Sequence, residues 1–168
     1  ANFYGFATGI AATGATWSNF IGQYAGWGAT NASQSNFIGR NAGTQATGGT
    51  HSNFIGTYAG SGASSASYSN LIGYQAGKTF TGNSISSHNT IIGTNISLPS
   101  GTTASLNIGG VLFGTGLYST TSGDPSVTAK VDGRIGIAVQ NPQATLDVSG
   151  TTIIRDKLTI YSGTNKTS

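Results

Sequence analysis

Cysteine, methionine and glutamate are absent, and histidine occurs only twice, at His51 and His88. Each shortage closes off a kind of chemistry. Without thiols there is neither a disulfide framework nor a thiolate metal site. The only acids are Asp124, Asp132, Asp147 and Asp156, all in the last third of the chain. Glycoside cleavage needs two carboxyl groups flanking one bond. Asp124 and Asp132 come nearest to that, and turn or strand-end roles account for both. With two histidines among abundant serines, no Ser-His-Asp arrangement stands out. "GTGLYS", residues 114–119, lacks the third glycine and the strand-turn-helix setting of a dinucleotide loop. We therefore expect no catalytic, cofactor-binding or metal-ligating residues, no cofactor, and a protein that is not an enzyme.

Charge is scarce as well. Charged residues make up 7% of the chain, against roughly 25% in an average globular domain. Only Arg40 and Lys78 carry charge before residue 124, so no basic stripe exists for nucleic acid to read. No run of about 18 apolar residues appears, so no membrane insertion is expected. The first residue is Ala rather than Met, and the chain is read as a segment of something longer.

What the chain does have is 27 glycines, with serine, threonine and asparagine in plenty. Such a composition can mean disorder. Here it does not, because Phe, Ile and Tyr recur in fixed register. Gly5, Gly22, Gly39, Gly56 and Gly73 are spaced by 17, each preceded three residues earlier by Asn2, Asn19, Asn36, Asn53 and Asn70. Between them stand two apolar residues, such as Phe20-Ile21 and Phe37-Ile38. The rhythm then slips to Gly93, a step of 20, and to Gly109, a step of 16. Fixed-period self-similarity is the signature of stacked repeats.

Seventeen residues are too few for a helix pair, and Gly, Ser, Thr and Asn are poor helix formers. They suit a rung of two short strands joined by turns. The first strand is the Asn-Phe-Ile segment, and the second is expected over Gln23–Ala29 and its equivalents. Stacked rungs make an all-β, parallel β-solenoid (a β-roll) over residues 1–121. Phe20 and Ile21 are adjacent, so they point to opposite faces of a strand. One fills the chain's own core, and the other would form a long exposed apolar stripe unless neighbouring copies cover it. A rotationally symmetric homo-oligomer supplies that cover.

"SNFIGQYAGWGATNASQ", "SNFIGRNAGTQATGGTH" and "SNFIGTYAGSGASSASY" follow one another without a gap. Their Asn-Phe-Ile-Gly-x-x-Ala-Gly pattern resembles the β-roll head repeats of trimeric autotransporter adhesins. It also resembles repeats of phage tail fibres and large bacterial surface proteins. "GRIGIAVQNPQATLDVSGTT", residues 133–152, is similar to a segment near the C-terminal end of such fibres. There it often precedes a chaperone domain that is cleaved off. The resemblance implies a homotrimer, an extended shaft and a role in attachment. The expected setting is a phage tail or capsid fibre on the virion surface, with other fibre or virion proteins as partners. The alternative is an extracellular adhesin on a bacterial cell surface. A fibre-borne enzyme that trims host polysaccharide is a third reading.

From residue 122 the repeat is gone, and nine of the eleven charged residues fall between Asp124 and Lys166. "SVTAKVD", "RIGIAV", "ATLDVSG" and "KLTIY" read as short strands with turns at Gly123-Asp124, Asp132-Gly133 and Asn141-Pro142. Residues 122–168 are expected to form a small β module that caps or continues the fibre and shields the solenoid's open edge.

A partner would meet the variable positions. Trp17, Tyr24, Trp27, Tyr58, Tyr68 and Tyr74 lie outside the repeated core and are candidates for stacking on a host cell-surface glycan. The plainer reading has them bridge rungs or pack between chains. His51 shares its rung position with Trp17, Gln34 and Tyr68, and is read as one step of an outward-facing ladder.

Overall fold

A computed structural model describes residues 1–79, 84–117 and 132–159, together with the backbone of 161–162 and 165–166. Among these residues there is no helix. The Asn-Phe-Ile segments form the first strands: β1 (Asn2–Tyr4), β2 (Asn19–Ile21), β3 (Asn36–Ile38), β4 (Asn53–Ile55) and β5 (Asn70–Ile72). Next come β6 (Thr90–Ile92) and β7 (Leu106–Ile108). Each pairs with the next in parallel, and from β2 to β4 the register sets Asn on Asn, Phe on Phe and Ile on Ile. The slipped steps keep this register, with Asn70 opposite Thr90 and Thr90 opposite Leu106. The chain is a β-solenoid.

The expected second strand over Gln23–Ala29 does not form. Tyr24, Gly26 and Gly28 all adopt positive φ, at 57°, 64° and 65°, and a left-handed residue at every second position cannot run extended. The segment winds into tight turns instead, closed by Ala25 N–H donating to the Gly22 carbonyl at 3.1 Å and Ala29 N–H to the Gly26 carbonyl at 3.0 Å. All that remains of a second strand is one bridge per rung, Thr13–Thr30–Thr47–Ser64.

Phe20, Phe37 and Phe54 are fully buried and stack face to face, with ring centres 4.7 and 4.6 Å apart. Leu71 and Ile91 continue the column. Buried alanines such as Ala25, Ala42 and Ala59 line the opposite wall, and their small size keeps the lumen narrow. Gly43 is forced by this geometry, because a Cβ there would enter the Phe37 ring. Gly39 is forced by its backbone: φ is +129°, and a Cβ would lie 2.6 Å from the Gly56 carbonyl of the next rung.

Two polar ladders tie the rungs together. The side-chain amide of Asn19 donates to Asn36, and that of Asn36 to Asn53, each at 2.8 Å. Inside, Ser18, Ser52 and Ser69 are buried. The Ser18 hydroxyl donates to the Ala32 carbonyl at 2.6 Å and accepts the Ser35 N–H at 3.2 Å. The buried hydroxyls of Ser18, Ser35, Ser52 and Ser69 are thus each hydrogen-bonded, as an apolar lumen requires.

Parallel growth stops at β7. A three-residue turn, with Gly109 and Gly110 at positive φ, reverses the chain into antiparallel β8 (Leu112–Thr115). β9 (Arg134–Ile137) pairs antiparallel with β8, and β10 (Leu146–Val148) parallel with β9. All ten strands belong to one sheet. β9 and β10 fall within the expected "RIGIAV" and "ATLDVSG" strands. "KLTIY" is not a strand over residues 157–159: Leu158 is exposed, and Asp156 Oδ1 takes the Lys157 N–H at 2.7 Å in place of a strand partner. The pair β11 (Tyr161–Ser162) and β12 (Asn165–Lys166) follows as a separate sheet. The expected boundary at 122 lies outside the described residues, as does nearly all of "SVTAKVD".

Candidate interaction surfaces

Within each strand the middle residue points inward, so the first and third share the outer face. The third position forms a column in direct register from Tyr4 through Ile21, Ile38, Ile55, Ile72, Ile92 and Ile108. It continues through Leu112 and Ile137 to Val148. The column is apolar in all ten strands and half exposed, with Ile21 at 42% and Ile137 at 40%. At the strand spacing of about 4.8 Å it is roughly 43 Å long. The inward column is shorter: after Ile91 it meets Asn107, then Phe113, Gly136 and Asp147.

The six aromatic candidates separate into two groups. Trp17 and Tyr68 belong to a column of left-handed residues, Trp17, Gln34, His51, Tyr68 and His88, with φ between 55° and 62°. Trp17 is 83% exposed. The rings of His51 and Tyr68 stack at 4.7 Å, and those of Tyr68 and His88 at 4.9 Å. The ladder expected at His51 is present and extends one rung further.

Tyr24, Trp27, Tyr58 and Tyr74 occupy the turns that follow the glycines spaced by 17. Tyr24 and Tyr58 sit at its left-handed position, shared with Asn41, Gln75 and Asn95. Tyr24 meets Phe6 edge to face at 5.7 Å, and the Gln75 amide donates to the Tyr74 hydroxyl at 3.1 Å. Tyr58 carries two cations: Arg40 Cζ lies 5.3 Å and Lys78 Nζ 4.5 Å from its ring centre. These are the only charged side chains before residue 124, and the fold brings both to one ring. The sequence reading took Tyr58 as a stacking surface or as a bridge between rungs or chains, and missed the cations. Writing the chain in rows of 17 would have found them, since Arg40 follows its glycine by one, Tyr58 by two and Lys78 by five.

Asp147 Oδ2 accepts the Gln143 N–H at 2.9 Å, as a turn role demands, and Asp124 lies outside the described residues. No group of three or more His, Cys, Asp or Glu that could hold a metal occurs among the described residues. No helix of the described residues is long and apolar enough to cross a membrane. Comparison with protein families, with curated proteins and with solved structures finds no match for this chain.

Proposed function

We propose that the chain is a structural segment of a homotrimeric phage tail or capsid fibre that contributes to host-cell attachment. The observation that carries this reading is the unbroken outward apolar column. Ten half-exposed apolar side chains in one line exceed what a soluble surface leaves open without a partner. A flat, regular stripe on a solenoid is self-complementary under rotation, so three copies packed stripe to stripe give each rung a second core on the common axis. The segment around β9 and β10 supports a fibre rather than a cell-bound adhesin, through its resemblance to the distal part of such fibres.

Immunogold labelling with antibody raised against residues 1–117 tests the setting. Label on fibres projecting from virus particles is the expected result. Label on the outer surface of bacteria would give the adhesin reading instead, and label on neither would overturn both.

A further inference from the structure

We propose that the cleft where the parallel solenoid gives way to antiparallel strands binds a neutral sugar. It measures about 390 Å³. Small-molecule sites run to about 300–1,000 Å³, so this one takes a ligand the size of a mono- or disaccharide. Three stretches of chain meet in its wall. Leu98, Pro99 and Ser105 come from the turn before β7, Thr115 from the end of β8, and Gln140 and Asn141 from the loop after β9. β8 is paired on both sides, with β7 and with β9. The loop is tied down as well: the Pro142 carbonyl takes an Arg134 N–H at 3.1 Å, and the Asn141 carbonyl takes the Gln143 side-chain amide at 2.9 Å. The wall is therefore set before a ligand arrives, which lowers the ordering cost of binding.

The lining decides the class of ligand. No charged side chain belongs to it, so an ion entering the cleft would lose water without gaining a counter-charge. The wall is polar all the same. The Ser105 hydroxyl is buried and donates to the Thr103 carbonyl at 2.8 Å, which leaves its oxygen to accept. Gln140 and Asn141 bring amide donors, and the Thr115 hydroxyl serves in either sense. Leu98 and Pro99 add an apolar patch. A purely apolar ligand would strand the hydroxyls and amides without partners. Sugar hydroxyls both donate and accept, and the C–H face of a pyranose covers an apolar patch, so a neutral pyranose meets every group present.

The inference deepens the attachment reading and rests on it for its biological use, whereas binding itself is measurable on the protein alone. The test is calorimetry and saturation-transfer NMR on the folded protein. The probes are the methyl glycosides of glucose, galactose, mannose and N-acetylglucosamine, with glucuronate as the charged counterpart. At least one neutral glycoside should bind, and more tightly than glucuronate. Thr115→Val and Gln140→Ala should each weaken that glycoside about fivefold, as the loss of one neutral hydrogen bond implies. Unchanged thermal transitions would show that the variants fold, and Gln140→Ala, at an exposed loop position, serves where Thr115→Val does not fold. No binding of any of the four glycosides, tighter binding of glucuronate, or no effect of the cleft variants would overturn the proposal. Binding lost in Trp17→Ala but kept in both cleft variants would move the sugar to the aromatic column and overturn the cleft. Sedimentation and immunogold labelling do not probe this cleft, so its failure and the failure of the fibre reading are told apart.

Discussion

Residues 18–72 and the strands β7 to β10 build the same sheet by different rules. In the first region each strand repeats its neighbour: a ring sits on a ring, an amide on an amide, a hydroxyl under a carbonyl. In the second the inward position changes at every step, from Asn107 to Phe113 to Gly136 to Asp147, and two strand pairs are antiparallel. Only the outward column, Ile108 to Val148, carries on unchanged in character. A shared internal core therefore cannot be what keeps that column apolar. On the proposed reading, a surface that stays apolar after the solenoid core has ended is kept for contact with neighbouring copies.

The largest effect should come from attacking the outward column inside the regular region. In the proposed trimer, Ile38→Asp would place a carboxylate at each of three equivalent positions, at several kcal/mol per chain once that face is buried. Thermal unfolding followed against protein concentration should show a lower midpoint and a weaker assembly. A midpoint unchanged at every concentration would mean that residue 38 faces water in the native protein.

The inward column is next. Phe37→Ala removes one ring from the middle of the stack and should destabilise by about 3–5 kcal/mol in chemical denaturation. Asn107→Leu probes the same column where it turns polar. If apolar character alone mattered, leucine would stabilise. Instead the Asn107 amide donates to the Ser97 carbonyl at 2.6 Å, and its oxygen accepts the Gly110 N–H at 2.9 Å. Leaving those two groups unpaired should cost about 1–3 kcal/mol, and a gain in stability would show that the turn after β7 has other support.

Smaller still is the amide ladder. Asn36→Ala deletes the bonds to Asn19 and Asn53 on a half-exposed face, for about 1–2 kcal/mol. Least of all is Trp17→Ala, at 83% exposure, which should stay within about 0.5 kcal/mol of the parent.

The period of 17 was legible because a stacked rung punishes any departure at Gly39 or Phe37, where the next rung lies within contact distance. Which of Phe37 and Ile38 faces inward was not legible, since adjacent strand positions are equivalent until the lumen's width is known. The second strand was misread because the left-handed turns rest on Tyr24, Asn41 and Tyr58 as well as on glycines. Nothing in the side chain of tyrosine announces a positive φ. The Arg40–Tyr58–Lys78 corner was hidden for a related reason: its members sit at three different offsets in three rungs. The C-terminal strands over 134–137 and 146–148 were legible from their flanking turns, but their joining the solenoid's own sheet was not.

Analytical ultracentrifugation of the folded protein tests the central claim most directly. If the outward column is an interface on a three-fold axis, the particle should have three times the 16.9 kDa of the chain wherever the chain is folded. A monodisperse, folded monomer, its isoleucine column open to water, would contradict the account.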